Sequence, residues 1–393
     1  MTTIQYMSPT PDQLPELDTL LGKALHFQPG EMGQWLQTIG LEHVRVIRHD
    51  ERFVAGLAAI PMGQYFGGKP VTTAGITAVG VAPELRGTGV GSQMMRESLA
   101  DLHSQGVPLA SLYPASLAFY RRAGYERAGY RITYELPLTL IDTQDRSCEL
   151  LPFAPDEPSI RELYAERARI SNGNMQRPEW MWNYRLNPEG KTVFRYLIQR
   201  EGRNEGYLTY TTAGRRDPLY ITDLVVLTPA AGRRVLTLLN DHHSILDNVI
   251  WTGGPLDPLL YLLPENLAGG SHARATTKSS YDWLMRIVDL SKALEARGYP
   301  HGLSAVLELE LSDEILPANA GRYTLEIADG SAHVSRGGKG NIALDIRTLA
   351  AIYTSFASTQ ECRAIGQISG SDADLALMDA VFSGPRPWLA DMF

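Results

Sequence analysis

The stretch VAPELRGTGVGSQMM, residues 81–95, holds three glycines within five positions, where an apolar run gives way to a segment with helical spacing. Glycine-rich sequence is poor material for a core, but it suits a turn whose main chain touches a ligand, because glycine has no Cβ. A helix that starts in such a turn presents unpaired N–H groups and the positive end of its dipole. The stretch therefore predicts a strand, a phosphate-binding turn and a helix.

Two common phosphate-binding patterns do not fit this turn. The sequence has no GxxxxGK[ST], which excludes a P-loop, and no acidic residue at the distance that the Rossmann fingerprint requires. What remains is R-x-x-G-x-G, formed by Arg86, Gly89 and Gly91 directly after a strand that ends in VGVAP.

The segments around the turn predict an α/β layout with a mixed sheet. Apolar spacing predicts strands on both sides of a polar turn at His49–Glu51. It also predicts a helix at 14–26, a strand at 71–83, a helix at 89–106, a strand at 108–114 and a short helix from 116 that ends at Gly124.

Beyond a proline-rich and charged boundary at 140–160, the stretch 219–246 repeats the strand, proline and helix of the first segment. We therefore predict a degenerate second copy of the first domain. The second copy keeps two arginines, Arg233 and Arg234, but it lacks the glycines, and Val235 and Leu236 are predicted to stand in the loop.

From about Met285 the pattern changes to α+β. Alternation at 305–313 predicts a half-buried strand, and Asp329-Gly330 predicts the turn of a hairpin. The polar stretch 273–280 predicts a loop.

Composition limits the classes of function. A length of 393 residues suggests two or three domains, and 44% apolar against 20% charged residues is typical of globular chains. The net charge of −8 argues against nucleic acid and fits a cationic partner. Cys148 and Cys362 form no CxxC, so no metal site is predicted. A leader and long apolar runs are missing, which predicts a cytoplasmic protein without a membrane partner.

Arg86–Gly91 and the later stretch SLAFYRRAGYE, residues 116–126, resemble the pyrophosphate loop and the FYxxxGF helix of the GNAT N-acetyltransferases. The resemblance implies acetyl-CoA as cofactor. It implies that main-chain N–H groups of the turn hold the pyrophosphate. It also implies that the strand at 79–81 pairs with the pantetheine arm, and that a main-chain N–H of this strand polarises the thioester carbonyl. The implied cofactor-binding residues are Val79, Gly80, Val81, Arg86, Gly87, Thr88, Gly89, Val90, Gly91, Ser92, Ala115 and Ser116.

The whole chain, with its ending FSGPRPWLADMF, resembles the Eis (enhanced intracellular survival) family of GNAT acetyltransferases. The resemblance implies a GNAT domain at 1–143, a degenerate GNAT-like domain at 144–284, a sterol-carrier-protein-like α+β domain at 285–393, and a homohexamer. It implies that the terminal carboxylate of Phe393 is the base and that Tyr120 is the acid. Such a carboxylate has a reference pKa of roughly 3.3–3.7 and is ionised near neutral pH.

The implied substrates are cationic multi-amine molecules such as aminoglycosides, polyamines or lysine-containing peptides. Alternatives stay open: another GNAT activity such as peptide N-terminal acetylation, or a lipid carrier with a vestigial CoA site. From the residues alone, Tyr125 and Tyr113 rival Tyr120. Glu84, Glu31 and Glu126 are other carboxylates, without support from the pattern.

Overall fold

A computed structural model describes residues 4–188, 190–255, 257–263 and 276–393 of the chain. The strands are β1 (Ile4–Met7), β2 (Val44–His49), β3 (Arg52–Phe66), β4 (Lys69–Val81), β5 (Leu109–Leu112), β6 (Glu126–Pro137), β7 (Glu149–Pro152), β8 (Met175–Gln176), β9 (Phe194–Arg200), β10 (Arg203–Thr212), β11 (Leu219–Val226), β12 (Asn248–Gly253), β13 (Thr276–Ile287), β14 (Ala305–Ser312), β15 (Gly321–Ala328), β16 (Ser331–Arg336), β17 (Ile342–Asp345) and β18 (Ile368–Ser369). The helices are α1 (Leu14–Leu25), α2 (Glu31–Ile39), α3 (Val90–Ser104), α4 (Leu117–Arg122), α5 (Ser159–Arg169), α6 (Glu179–Leu186), α7 (Pro229–Asp241), α8 (Pro258–Tyr261), α9 (Leu290–Ala296), α10 (Ile346–Tyr353), α11 (Thr359–Ala364) and α12 (Asp372–Val381).

The chain forms two compact units. The first comprises Met1–Gly129, Asp282–Pro385 and Asp391–Phe393, and the second comprises Tyr130–Tyr281 and Arg386–Ala390. Within the described residues, no helix is long and apolar enough to cross a bilayer.

The N-terminal part of the first unit contains the predicted mixed sheet. Strands β1 to β4 pair antiparallel in chain order, β5 joins β4 in parallel, and the end of β13 pairs antiparallel with β5. The predicted helix at 89–106 is confirmed as α3, in which Met94 and Leu99 are fully buried and Leu102 is 6% exposed. Helix α3 thus packs its apolar face on the sheet and leaves its N-terminus at the end of β4.

The C-terminal part of the first unit has its own five-stranded sheet, in the order β16-β15-β14-β17-β18. The predicted hairpin is confirmed, because Asp329 and Gly330 form its turn with φ of +50° and +73°. The predicted loop at 273–280 is wrong from Thr276 onward, where β13 begins, and 273–275 lie outside the described residues.

The second unit contains the repeat of the strand and helix, but its helix starts differently. Helix α7 begins at Pro229, and the Thr228 hydroxyl accepts a hydrogen bond from the N–H of Ala231. The prediction that Val235 and Leu236 stand in a loop is wrong, since both are buried in α7.

The two arginines of this repeat bind their own unit. Arg233 pairs with Asp145 at 2.7 Å, and Arg234 donates to the carbonyl of Cys148. Because the helix starts without a glycine turn and caps itself, its N-terminus, which lies among the described residues, offers no anion site comparable to that of α3.

Candidate active site

Strands β4 and β5 separate halfway along β4. Their parallel pairing covers only Thr73–Gly75 against Leu109–Ser111, whereas β4 continues to Val81. Beyond Gly75, β4 has no partner on this side among the described residues. Its free main-chain groups can therefore pair with an extended ligand, as in strand addition.

A β-bulge lies on the free part of β4. The pairing with β3 passes from Gly56–Gly80 to Ala58–Thr77, so Ala78 and Val79 have no partner in the ladder. Ala78 has φ of +52°, which is rare for a residue with a side chain and stores local strain. Such a bulge bends the strand and leaves main-chain groups outside the ladder, where they can pair with other partners.

Gly80 serves the packing of α1. A Cβ at this position would lie 2.7 Å from Leu21 Cδ2 and 3.0 Å from Ala24 Cβ. The glycine is therefore needed for helix–sheet contact, and the bulge lies one to two residues earlier, at Ala78 and Val79.

The glycine turn adopts backbone conformations that favour glycine. Gly87 and Gly89 have φ of +79° and +97°, and a Cβ on either would meet no atom within 4 Å. Thr88 closes the turn, since its hydroxyl donates to the Leu85 carbonyl at 2.7 Å. The glycines are therefore required for their positive φ angles and not for lack of space, since open space surrounds them.

The turn delivers unpaired amides at the start of α3. The first bond of the helix runs from Gln93 N to Gly89 O, so the amides of Val90, Gly91 and Ser92 precede the helical ladder. Together with the dipole of a 15-residue helix, these amides form an anion site.

Arg86 holds this turn to α1. Its Nη2 donates to the Ala24 carbonyl at 2.6 Å, which is one of the last carbonyls of α1. A cation at a helix C-terminus is favourable. Through this nitrogen Arg86 fixes the turn instead of pointing at a ligand, a contact that the motif did not predict.

Ala115 and Ser116 lie between β5 and α4, and both are exposed. Ser116 is the N-cap residue of α4, and its carbonyl accepts a hydrogen bond from Tyr120 N at 3.4 Å. Both residues are therefore open to a ligand at the start of the helix that carries Tyr120.

Tyr120 has a buried ring and a free hydroxyl. The side chain is 7% exposed and packs edge-on against Phe119 and Tyr125, with ring centroids 4.9 and 6.0 Å away. Among the described residues, its hydroxyl has no hydrogen-bond partner. Burial raises its pKa to about 12, so the phenol stays protonated at neutral pH.

The two rival tyrosines are placed differently. Tyr125 is fully buried, and burial raises its pKa well above the usual value. The Tyr113 hydroxyl donates to the Asp391 carbonyl at 2.8 Å. Tyr125 is thus sealed from a ligand, and Tyr113 secures the end of the chain.

The last residue lies where β4 and β5 separate. The Phe393 ring is 5.7 Å from the Tyr113 ring, and a Cβ at Gly75 would lie 2.8 Å from Phe393 Cδ2. Asp391 is buried, while Met392 is 52% exposed. Gly75 is a signal that the sequence analysis missed, because a glycine inside a strand indicates close approach of another group.

The residues just before the terminus are held in the second unit. Trp388 N donates to the Asn172 carbonyl, Leu389 N donates to Tyr130 O, and Leu389 is fully buried. These bonds fix the backbone of this segment.

The other candidate carboxylates are engaged elsewhere. Glu84 pairs with Arg52 at 2.9 Å, and hydrogen bonds from its own backbone and from Arg52 lower its pKa. Glu31 accepts from Gln28 N at 2.8 Å, and Glu126 pairs with Arg121 at 2.9 Å.

Three parts of the chain match known family models. Residues 5–128 and residues 173–287 each match an acetyltransferase (GNAT) domain, and residues 290–390 match a sterol carrier protein domain.

Full-length relatives agree with these matches. An uncharacterized N-acetyltransferase of Streptomyces griseus is 30% identical over 354 residues, 83% of each chain. N-acetyltransferase Eis of Mycobacterium tuberculosis is 24% identical over 419 residues, 98% of each chain. The crystal structure of a GCN5-related N-acetyltransferase from Anabaena variabilis superposes over all of both chains, with a TM-score of 0.94 and 35% identity.

Proposed function

Since the chain belongs to the GCN5-related N-acetyltransferases and is an acetyltransferase, we propose that it transfers acetyl groups from acetyl-CoA to cationic multi-amine molecules. Its two GNAT domains and its sterol-carrier-protein-like domain form the Eis-like arrangement. Aminoglycosides, polyamines and lysine-containing peptides are the proposed substrates. The position of the Phe393 ring at the separation of β4 and β5 carries the proposal.

The cofactor argument follows the geometry of β4 and α3. The amides of Val90 to Ser92, with those of the glycine turn, would hold the pyrophosphate. The free edge of β4 would pair with pantetheine, and the amide of Val79 would donate to the thioester oxygen as negative charge develops there.

Proton transfer needs a base for the amine and an acid for the leaving thiolate. An amine of lysine type has a reference pKa near ~10.4 and arrives mostly protonated. In the proposal the Phe393 carboxylate accepts a proton from the amine, directly or through one water, and the nitrogen attacks the thioester carbon. The C–S bond breaks, and the Tyr120 hydroxyl donates a proton to the departing sulfur. The nitrogen, which becomes an amide, releases its second proton to solvent, from which the Tyr120 phenolate is reprotonated.

The choice of a cationic substrate is supported by the net charge of −8, which attracts polyamines. The homohexamer, the cytoplasmic location and the domain limits at 143 and 284 remain proposals; the first rests on the family resemblance alone.

Thiol release with acetyl-CoA and a panel of amines tests the function. We expect turnover with kanamycin-like aminoglycosides or with polyamines, and slower turnover with monoamines of the same pKa. Turnover confined to peptide N-termini would favour the alternative GNAT activity. No thiol release with any amine would contradict the proposal.

A lipid-carrying role has less support. In the C-terminal part of the first unit, the Arg297 guanidinium is fully buried and lies within 5.0 Å of the ring centroids of Tyr299, Tyr353 and Phe382. Side chains therefore fill this interior at a point where a lipid tail would need apolar space.

Replacing Gly75 by alanine tests whether catalysis depends on the position of the Phe393 ring against β4. The new Cβ would come within 2.8 Å of the Phe393 ring, so the ring and its carboxylate must move. Because misplacement by about 1 Å can cost about 100-fold in rate, we expect kcat to fall by that order.

Gly22→Ala is the matched control for that variant, because its Cβ meets only the Phe27 carbonyl, at 3.7 Å. It should keep the wild-type kcat. Circular dichroism should show that both variants are folded. A wild-type kcat for Gly75→Ala would then show that catalysis does not depend on the position of Phe393.

A further inference from the structure

The segment at 386–390, which belongs to the second unit, forms main-chain hydrogen bonds along both of its edges within that unit. On one edge, Tyr130 N donates to the Pro387 carbonyl at 3.0 Å. On the other edge, the Asn174 side-chain amide donates to the Trp388 carbonyl at 3.3 Å. The backbone of this segment is therefore fixed from two sides.

The Trp388 indole lies against a glycine and a cation. A Cβ at Gly254 would lie 2.8 Å from both Cγ and Cδ1 of the indole, so only a residue without a side chain leaves room for the ring. The Arg167 guanidinium lies 4.8 Å from the centroid of the indole and 5.0 Å from that of the Tyr164 ring. Gly254 is itself held, since the Tyr134 hydroxyl donates to its carbonyl at 2.7 Å. The indole thus anchors the segment through its side chain as well.

Two guanidinium groups hold the carbonyl of Ala390. Arg185 Nη2 donates to this oxygen at 2.8 Å, and Arg131 Nε donates to it at 3.1 Å. Arg185 is fixed in turn, because its Nη1 donates to the Thr222 carbonyl in β11 at 2.9 Å. Hydrogen bonds from charged donors are stronger than those between neutral groups. The last anchor of the segment is therefore its strongest one.

Phe393 lies three residues beyond Ala390. Three extended residues span at most about 11 Å, so the anchor at Ala390 limits the positions that the Phe393 carboxylate can reach. Met392, between them, is 52% exposed and adds little packing of its own. A general base must lie within hydrogen-bond reach of the proton it accepts, or one water away from it. The position of that carboxylate therefore depends on how firmly the chain is held up to Ala390.

We propose that Trp388, Arg131 and Arg185 are positioning residues for the Phe393 carboxylate, and we call these three side chains the latch. By holding the chain up to Ala390, the latch keeps the carboxylate within reach of the ammonium group of the substrate. The latch itself touches no reacting atom, so its effect on the rate passes through the carboxylate. This inference rests on the proposed role of Phe393 as the base.

Gly254→Ala displaces the Trp388 indole without removing any side chain of the latch. Because misplacement by about 1 Å can cost about 100-fold in rate, we expect kcat to fall by that order. The KM for acetyl-CoA should change by less than about twofold, since the latch contains none of the residues proposed to bind the cofactor. Gly214→Ala is the matched control, because its Cβ would meet only the exposed Asp217 carboxylate, at 3.0 Å, and it should keep the wild-type kcat.

Replacing both arginines of the latch by alanine removes the two donors at the Ala390 carbonyl. A hydrogen bond to a charged group contributes about 10- to 100-fold in an equilibrium constant, so kcat should fall by at least about 10-fold. Arg146→Ala is the matched control in the same unit, since this exposed arginine pairs with Asp241 at 2.8 Å. It should keep the wild-type kcat.

A double-mutant cycle separates positioning from a merely structural role. Each latch variant is also made in an extended chain, which has one glycine appended after Phe393 and so carries an amide in place of the Phe393 carboxylate. If the latch acts through this carboxylate, its loss should lower kcat of the extended chain by less than about twofold. The losses in the chain of natural length should also shrink between pH 7 and pH 10, because a free amine needs no base.

The outcomes separate this inference from the proposed function. Thermal unfolding shows which variants are folded. Wild-type kcat in either folded latch variant would overturn the inference, and so would equal losses in the natural and the extended chain, because the latch would then act on the fold alone. Wild-type kcat in the extended chain without latch substitutions would instead contradict the proposed base.

Discussion

Appending one glycine after Phe393 is expected to lower kcat by about two to four orders of magnitude, the contribution typical of a general base. The added residue keeps the Phe393 ring but turns its carboxylate into an amide, which cannot accept a proton. The new carboxylate lies about 3.8 Å further along the chain. Deleting Phe393 should have a comparable effect, because the ring contact with Tyr113 and the seat at Gly75 are lost as well.

The measurement is kcat by thiol release at saturating acetyl-CoA and amine, with thermal unfolding as a check on folding. Phe393→Leu is a variant that keeps the carboxylate and loses only the ring contact, so its loss should be tenfold or less, about 1 kcal/mol, as for a single aromatic pair. Met392→Ala is the surface control, since this side chain is 52% exposed. Unchanged turnover in both the extended and the shortened chain would place the base elsewhere.

A high-pH measurement supplements this test. The free amine becomes abundant as pH rises, so the substrate then needs no base and the extended chain should regain rate. The wild-type carboxylate stays ionised over the same range, so it does not itself change. The ratio of wild-type to extended-chain kcat/KM should therefore shrink between pH 7 and pH 10. A constant ratio would show that the carboxylate acts on binding and not on the proton.

The parts of the site that the sequence predicted are local ones. Three glycines in five positions and the FYRRAGY helix specify their own backbone, so the positions of the turn and of Tyr120 follow from short motifs. The role of Phe393 came from the family resemblance, because no pattern in the residues connects position 393 to Gly75, which lies 318 positions earlier in the chain. Gly75 carries that connection, but it reads as an ordinary strand glycine until the ring is seen against it.

What the sequence could not supply depends on register and on long-range contacts. The bulge at Ala78 depends on how β4 pairs with β3, and the bond from Arg86 to Ala24 depends on where α1 ends. The prediction for the second repeat was wrong for a related reason: this repeat has no glycine turn, so its helix already begins at Pro229 and Val235 is buried inside it. Loss of the ligand turn thus changes where the helix begins, which spacing alone does not reveal.

Tyr120→Phe is expected to lower kcat by about 100-fold, the lower end of the range for general acid catalysis. A phenol with a pKa of about 12 is a weaker acid than a thiol, whose reference value is near ~8.5. Its main contribution is therefore a hydrogen bond to the developing thiolate, whose basicity the same burial raises. The hydroxyl has no partner among the described residues, so its removal should change the free energy of unfolding by less than about 0.5 kcal/mol.

The pH dependence separates this role from simple packing. Because burial raises the pKa of Tyr120 above the usual 10, the protonated form persists through pH 10, and wild-type kcat should rise to a plateau without a falling limb between pH 8 and pH 10. Tyr125→Phe is the matched control, since it removes a hydroxyl from a neighbouring buried ring that the proposed mechanism does not use. A falling limb in wild type, or equal losses in the two variants, would contradict the assignment of Tyr120, because a hydroxyl that acts on the leaving sulfur must stay protonated and must matter more than its neighbour.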